Sequence, residues 1–283
     1  MRGLITATVL AELERRLGKP LCESFDRIAG TSTGGILSAL AAKGLPAADF
    51  QKFYTERGPR IFKTGFLDLG WVGPKFDVRI LNKELVELLG DDRLLHTKTG
   101  LMIASYDKLS RSAFFFKSYD PQVALFKLSD AATSTASAPY YFGHWAVALN
   151  RLGYQFVDGG LFCNVPTLAA YCDVLHEFPG EEVRVVSIGT GYPDACTLHT
   201  LPNGGLFSWA AAVLPVAMDG AADVVHHICQ ELVGDNYVDL DIAMSSDIAM
   251  DDVRPTTLAQ LKNLGGQIVQ SQAFEDAVTL LTK

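Results

Sequence analysis

Between residues 25 and 35 the chain passes from a short apolar run into a glycine-rich turn, and it reads Phe25-Asp26-Arg27-Ile28-Ala29-Gly30-Thr31-Ser32-Thr33-Gly34-Gly35. The first five of these residues predict a short β-strand. The Leu- and Ala-rich residues that follow predict a helix that stops at Gly44. Residues 30–34 match G-x-S-x-G, a sharp strand-to-helix turn that presents a serine on a strained backbone. Ser32 is therefore a candidate nucleophile.

The glycines of this turn have a physical explanation. A tight turn leaves little room for side chains, and glycine tolerates unusual backbone dihedrals. The helix that follows points its amide groups at Ser32 and favours negative charge nearby. A glycine-rich turn that merely caps a helix would contain the same residues. A phosphate-binding loop is disfavoured, because no lysine follows the glycines as the Walker pattern requires.

Further short apolar segments bounded by turn residues predict strands at 101–106, 113–117, 154–157 and 183–188. Helical patterns are found at 4–17, before Gly18, from Pro46 to near Gly58, and at 166–178. Strands that alternate with helices predict an α/β fold with a mainly parallel sheet covered by helices on both faces, a three-layer α/β/α arrangement. No repeat, low-complexity tract or long linker is present, so residues 1–283 are expected to form a single domain.

A candidate partner for Ser32 lies at the end of a predicted strand, where the chain reads Phe156-Val157-Asp158-Gly159-Gly160. Asp-Gly is also common in ordinary β-turns. In a parallel sheet, however, functional residues lie on loops beyond the carboxyl ends of the strands, and Ser32 and Asp158 both occupy such positions. A serine hydroxyl needs a nearby base to act as a nucleophile.

Histidine is the alternative base. In the chain order of an α/β-hydrolase triad an Asp and then a His follow the serine, and the candidates for that histidine are His199, His226 and His227. None lies in a glycine-bounded loop after a clear strand. His226 and His227 fall in a predicted helix at 221–232, where solvated or packed histidines are expected.

Several segments together resemble the patatin-like phospholipases. The turn around Ser32 and the segment from Asp158-Gly159-Gly160 to Asn164-Val165-Pro166 resemble the two signature blocks of that family. The small-residue stretch 131–142, with Ala138-Pro139, and the late strand and turn at 187–191 also match it. The similarity runs from the first residues to at least Gly191, and 249–264 fits the family more loosely.

The resemblance implies a Ser-Asp dyad without histidine, in which Ser32 is the nucleophile and Asp158 the base, and it requires neither a metal nor an organic cofactor. The implied activity is hydrolysis of fatty-acyl esters of phospholipids or other glycerolipids through an acyl-enzyme. The motif residues carried over with the dyad are Gly30, Thr31, Gly34, Gly35, Gly159 and Gly160.

The sequence departs from the family at its start. The family's oxyanion loop has the form D-G-G-G-x-[RK]-G, and Met1-Arg2-Gly3 aligns only with its end. We therefore expect that the first strand and the glycine loop lie before residue 1, because the reading frame was begun too late or because the product is shortened and impaired. The candidate oxyanion donors that remain are the Arg2 side chain and the amides of Gly3 and Thr33.

The composition limits the remaining possibilities. A formal net charge of −8 argues against a general nucleic-acid or anionic-membrane binder. The five cysteines form no CxxC pair, which suggests neither a zinc site nor a disulfide framework. No signal-peptide pattern is present, and the apolar stretch at 206–218 is too short for a membrane span. We expect a cytoplasmic protein that makes at most transient contact with a membrane surface.

Phe62–Phe76 is rich in aromatic and apolar residues, and it is interpreted either as a flap over the acyl site or as a loop packed on the core. Three functions stay open from the sequence. The leading one is a lipid acyl hydrolase, and the others are a catalytically impaired lipid- or acyl-binding protein of the same fold and an esterase with a Ser-His-Asp triad.

Overall fold

The computed structural model describes residues 1–63, 73–194, 213–245 and 248–283. Its helices are α1 (Gly3–Leu17), α2 (Leu21–Ser24), α3 (Thr33–Lys43), α4 (Phe50–Lys52), α5 (Gly58–Ile61), α6 (Val78–Leu89), α7 (Leu128–Thr135), α8 (Thr167–Glu177), α9 (Val213–Val233), α10 (Pro255–Val269) and α11 (Gln272–Thr282). Its strands are β1 (Arg27–Thr31), β2 (Gly100–Asp107), β3 (Ser112–Lys117), β4 (Trp145–Leu149), β5 (Leu152–Asp158), β6 (Val185–Ile188), β7 (Tyr192–Pro193), β8 (Tyr237–Leu240) and β9 (Ala243–Met244).

Two predicted helix ends are confirmed. Gly18 closes α1 with φ 68° and Gly44 closes α3 with φ 85°, both in the left-handed region that glycine adopts readily. The helix predicted to end near Gly58 differs from the prediction. It consists of α4, a π-helical turn at Phe53–Arg57 and α5, which continues past Gly58 to Ile61.

The main sheet has five strands, with β2 at its centre. β1 pairs with β2 in parallel, β3 and β5 pair with β2 antiparallel, and β4 pairs antiparallel with β5. Two further parallel pairs, β6 with β8 and β7 with β9, lie outside it. The α/β fold with its three layers is as predicted, but the main sheet is mixed rather than mainly parallel. Short connections explain this, since β2 to β3 and β4 to β5 are hairpins, and hairpins pair antiparallel.

The two edges of β2 are used differently. Residues 102–107 pair with β3 along one edge. On the other edge, β1 covers residues 100–104 and β5 covers residues 105–107. β1 ends with Thr31 opposite Ala104, and β5 ends with Asp158 opposite Ser105. Two strands that run in opposite directions therefore end at adjacent positions of β2, and the residues at their ends lie side by side.

The core of the sheet is aromatic where β3 and β5 flank β2. Phe116 and Phe156 are completely buried, and their ring centroids lie 4.9 Å apart. Phe126 and the partly buried Phe114 contact both rings. Rings of this size bury large apolar areas, so this cluster holds the strand that carries Asp158 firmly in the core.

The turn between β1 and α3 is strained in the way that the sequence predicts. Ser32 has φ 55° and ψ −124°, which a non-glycine residue adopts rarely. The glycines around it differ in purpose. A Cβ atom on Gly30 would collide with the carbonyl group of Gly34, and one on Gly35 would lie 2.6 Å from Thr135 Cγ2. A Cβ atom on Gly34 would meet nothing within 4 Å.

A cleft of about 1950 Å³ separates β1 from β6 and extends to Ser32. Within the described residues, β1 pairs only with β2 and β6 only with β8, so each strand turns one edge toward this cleft. Ala29 of β1 and Val186 of β6 line it, as do Ala170 and Val174 of α8. No residue of α8 is buried, although the helix is rich in apolar residues. The space beneath α8 is therefore only partly filled.

Among the described helices, none combines the length and the apolar character that crossing a lipid bilayer requires. Residues 206–212 of the apolar stretch noted in the sequence lie outside the described ranges.

We predict that Gly30→Ala destabilises the fold strongly and that Gly34→Ala does not. Overpacking against rigid backbone costs about 1–3 kcal/mol, and a clash with the Gly34 carbonyl lies at the upper end of this range. Gly34 lies in the first turn of α3, where alanine is a better helix former by up to about 1 kcal/mol. Urea unfolding of both variants measures the difference. Equal losses would mean that the turn does not have this close contact.

Candidate active site

Ser32 and Asp158 are brought together by the strand ends on β2. The hydroxyl of Ser32 donates a hydrogen bond to Asp158, with Oγ 2.6 Å from Oδ2. Ser32 lies between β1 and α3, and Asp158 is the last residue of β5. The two residues are 126 positions apart in the chain. A hydroxyl this close to a carboxylate is the arrangement that general-base activation of a nucleophile requires.

Asp158 is buried and has few hydrogen-bond partners among the described residues. Its side chain is only 7% exposed, and it accepts hydrogen bonds from Ser32 and from the amide of Gly160, the latter at 2.7 Å from Oδ1. Burial raises the pKa of Asp158 to about 6, because desolvation of the charged form outweighs the two hydrogen bonds that favour it. A carboxylate with this pKa is a stronger base than an exposed one and is still ionised at neutral pH.

Glycine is needed after Asp158 for steric reasons. A Cβ atom on Gly159 would collide with the carbonyl of Ala104 on β2. The chain thus leaves the sheet in a short 3₁₀ turn, Gly159–Leu161, that passes directly over the neighbouring strand. This close approach keeps the carboxylate of Asp158 against the end of β1.

The segment at 131–142 accepts hydrogen bonds from the backbone amides of both Ser32 and Asp158. The amide of Ser32 donates to Thr135 Oγ1 at 2.8 Å, and Thr135 in turn donates to the carbonyl of Ala104 at 2.6 Å. The amide of Asp158 donates to the carbonyl of Ser137 at 3.0 Å. The sequence pattern had marked this segment without giving Thr135 a role. Its signal was a run of small polar residues within an apolar context, since Thr133, Ser134, Thr135 and Ser137 are all fully buried.

The three candidate oxyanion donors lie in different surroundings. Gly3 and Thr33 are in contact, because a Cβ atom on Gly3 would collide with Thr33 Oγ1. Both residues begin helices, so their amides are unpaired within α1 and α3. The guanidinium of Arg2 donates to the carbonyl of Ile248, with Nε at 3.0 Å and Nη2 at 2.8 Å. The amide of Ser32 already donates its hydrogen bond to Thr135 Oγ1.

No histidine is found among the hydrogen-bond partners of Ser32 or Asp158 within the described ranges. His226 lies on α9, with Nδ1 2.7 Å from the hydroxyl of Tyr237 and 3.5 Å from Asp239 Oδ2. His227 lies on the same helix, as predicted. His199 lies outside the described residues.

The cleft beside Ser32 is mostly apolar. Its apolar lining includes Ile36, Phe53, Ile61, Phe62 and Phe142. Phe62 packs edge-on against Phe76 with ring centroids 5.2 Å apart, and Phe76 is buried. Both ends of the predicted apolar segment at 62–76 therefore pack on the core. Its middle, with Phe66, Leu67, Leu69, Trp71 and Val72, lies outside the described residues.

The described part of the chain contains no group of three or more His, Cys, Asp or Glu side chains that could hold a metal ion. Four of the cysteines, Cys22, Cys163, Cys172 and Cys229, are free thiols, and Cys196 lies outside the described ranges.

Comparison with known proteins finds relatives that are patatin-like proteins or phospholipases. The family described as "Patatin-like phospholipase" matches residues 1–171. A "cGAMP-activated phospholipase" of Pseudomonas aeruginosa is 33% identical in an alignment that covers 88% of this chain and 78% of the relative. "Patatin-like protein 4" of Arabidopsis thaliana is 29% identical in an alignment that covers 97% of this chain and 82% of the relative.

A solved structure has the same fold. The crystal structure of VipD from Legionella pneumophila superimposes with a TM-score of 0.51 and 11% identity, over 95% of this chain and 65% of that structure. At this identity the likeness concerns the fold alone. The sequence relatives support lipid acyl hydrolase activity in general. The sequence match over more than half of the chain and the identity to curated relatives show that this chain belongs to the patatin-like phospholipase family.

Proposed function

We propose that this chain is a serine carboxylic-ester hydrolase that cleaves fatty-acyl esters of phospholipids or other glycerolipids with Ser32 and Asp158. The observation that carries the proposal is the 2.6 Å hydrogen bond between the Ser32 hydroxyl and the buried Asp158 carboxylate at the wall of an apolar cleft. Family membership supports a lipid substrate. The roles of these two residues in this chain are the part that experiment must test.

The proposed cycle has two halves. In the first, Asp158 accepts the hydroxyl proton while Ser32 Oγ forms a bond to the ester carbonyl carbon, and the carbonyl π electrons move to oxygen. The tetrahedral intermediate collapses, the bond to the alcohol oxygen breaks, and Asp158 returns its proton to that oxygen. In the second half, water gives a proton to Asp158 while its oxygen forms a bond to the acyl carbonyl carbon. The bond from that carbon to Ser32 Oγ then breaks, Asp158 returns the proton to Oγ, and a fatty acid leaves.

Stabilisation of the oxyanion is assigned to the main chain. A carboxylate alone is a weak base, so the reaction depends on fixed donors aimed at the developing charge. The amides of Thr33 and Gly3 begin two helices that meet beside Ser32, and both helix N-termini favour negative charge. The guanidinium of Arg2, the third candidate donor, is held by the carbonyl of Ile248.

The substrate assignment follows from the cleft. A fatty-acyl chain needs an apolar channel, and the aromatic and aliphatic side chains that line the cleft with Ser32 supply one. The reaction requires neither a metal nor an organic cofactor. We retain the expectation of a cytoplasmic enzyme that contacts membranes only transiently to reach its substrate.

The expectation that a strand and a glycine loop precede residue 1 stays a prediction. The cleft between β1 and β6 supports it, because both strands turn an edge toward the cleft and α8 covers it without burying a residue. Backbone groups at such edges are satisfied when another strand pairs with them. A strand parallel to β1 would end near Ser32, where a glycine loop could add oxyanion donors. Residues 1–283 are then one part of the single domain.

We predict that Ser32→Ala and Asp158→Asn each abolish hydrolysis of a short-chain ester, and that the double variant is no worse than either one. Two groups that act as a unit give non-additive losses. Labelling by a fluorophosphonate probe should be lost in Ser32→Ala. Labelling of the unmodified chain without ester turnover would favour the impaired, lipid-binding alternative.

The matched control for this experiment is His226→Asn, together with His227→Asn and His199→Asn. The dyad predicts that all three retain turnover. If any of the three is as inactive as Asp158→Asn while still folded, the histidine-triad alternative is correct and the dyad is wrong.

We predict that kcat/KM rises with pH through about 6, because Asp158 must be ionised to act as a base. At pH 5 the rate should be about a tenth of its plateau, whereas an ordinary aspartate would still be active there.

The free energy of unfolding should change with pH in the opposite direction, falling as Asp158 ionises. The pKa of Asp158 is higher in the folded than in the unfolded chain. Its contribution to the stability of the fold is therefore complete below about pH 4 and is lost as the pH rises through about 6. Asp158→Asn should therefore gain stability relative to the parent between pH 4 and 7.

We predict that a chain extended by the upstream strand and glycine loop turns over faster and melts higher than residues 1–283. One oxyanion donor is worth about 10²–10³ in turnover, and pairing the two open edges stabilises the sheet. Expressing both forms and comparing turnover and Tm on the same ester tests this. Equal values would mean that the oxyanion site is complete without the extension.

A further inference from the structure

A buried pair of hydroxyls lies directly behind the nucleophile turn. Thr33 Oγ1 and the phenol oxygen of Tyr54 are 2.5 Å apart. Tyr54 is only 3% exposed, and burial raises the pKa of its phenol well above the usual value. The phenol therefore stays protonated and neutral at every pH at which the enzyme would work, and it can hold this hydrogen bond throughout the reaction.

The same pair touches the start of α1. A Cβ atom on Gly3 would collide with both Thr33 Oγ1 and the Tyr54 hydroxyl. Gly3 thus packs its backbone directly against the two oxygens, and no other residue type fits there without displacing them. Tyr54 is therefore in contact with both residues whose amides are proposed to stabilise the oxyanion.

Tyr54 occupies an irregular part of the chain. It lies in the π-helical turn Phe53–Arg57, between α4 and α5. π turns are rare, they are less favourable than α-helix, and they occur frequently at functional sites. The ring of Phe53 packs edge-on against that of Tyr54 with centroids 5.3 Å apart, and both residues line the cleft. The phenol is thereby held from the side as well as by its hydroxyl.

We propose that Tyr54 is a positioning residue, whose hydroxyl binds Thr33 and packs on Gly3 and so fixes the spacing of the two main-chain amides that receive the oxyanion. The inference rests on the proposed function, because it assumes that these amides act in the reaction. Oxyanion donors are effective only when they are held in place, and a displacement of about 1 Å can reduce the rate by about 10². An ordinary Tyr–Thr hydrogen bond in the core would affect stability and leave turnover unchanged.

The test uses Tyr54→Phe, which keeps the ring and removes the hydroxyl. We expect kcat on a short-chain ester to fall about tenfold, with KM within about twofold, because the transition state and not the bound ester is affected. Thr33→Val should give the same loss, Thr33→Ser should retain most of the parent kcat, and Tyr54→Phe with Thr33→Val should be no worse than either alone. Additive losses would overturn the shared route through Thr33.

Tyr119→Phe is the matched control. Tyr119 donates to Asp173 Oδ2 at 2.6 Å, a tyrosine hydrogen bond at the end of β3 and away from Ser32. Tyr119→Phe should lower the Tm by about as much as Tyr54→Phe does and keep the parent kcat. If Tyr54→Phe behaves like Tyr119→Phe, the bond is only structural and the inference is wrong.

Two further outcomes separate this inference from the proposed function. If Ser32→Ala keeps its activity, the proposed function fails, and the inference fails with it. If Ser32→Ala is inactive while Tyr54→Phe and Thr33→Val both keep kcat within about twofold, only the inference fails. Should Tyr54→Phe not fold, the comparison of Thr33→Val with Thr33→Ser decides it alone.

Discussion

The ends of β1 and β5 meet on a single edge of β2, and the rest of the site depends on this register. Thr31 lies opposite Ala104 and Asp158 opposite Ser105, so two strands that approach from opposite directions deliver their last residues to neighbouring positions. The backbone register alone therefore brings the side chains of Ser32 and Asp158 together. A slip of β5 by one residue would move Asp158 to the other face of the sheet and break the dyad. The aromatic core around Phe116 and Phe156 makes such a slip costly, since it would expose buried rings.

Burial gives Asp158 its basicity and also makes it expensive. Within the described part of the chain the carboxylate is partnered only by a serine hydroxyl and one amide, and its pKa rises to about 6. A cation beside it would stabilise the folded protein near neutral pH, but it would lower the pKa and weaken the base. The site therefore has a carboxylate that destabilises the fold when it is ionised and is ready to take a proton. The strained backbone of Ser32 is a second local cost of the same kind, and it is supported by Thr135 beneath the turn.

The sequence predicted the parts of the fold that are encoded locally. Gly18 and Gly44 end helices because their left-handed conformation excludes most other residues, and the G-x-S-x-G turn places Ser32 as expected. It did not predict β4 or the mixed sheet, because strand direction depends on pairing between distant segments. The sequence pattern also gives no way to rank the motif glycines by how closely they are packed. Gly30 and Gly35 face close neighbours, whereas Gly34 faces open space, and only the packed structure distinguishes them. Asp158 could be named because Asp-Gly-Gly follows an apolar strand, but its contact with Ser32 required the register on β2.

Thr135 and Tyr54 show why supporting residues are harder to find from sequence than the groups they hold. Each acts through one buried hydroxyl, which makes two hydrogen bonds in Thr135 and one in Tyr54, and neither residue belongs to a glycine-marked turn. Thr135 fixes the amide of Ser32 by reaching the carbonyl of Ala104, so it ties the nucleophile to the same strand that aligns β1 and β5. Tyr54 reaches the next residue, Thr33, from a π-helical turn that the helical pattern after Pro46 does not reveal. The nucleophile turn is thus held on one side by the sheet and on the other by a helix. Because a buried hydroxyl without its partner costs free energy, each bond resists displacement of the turn when charge develops on the oxyanion.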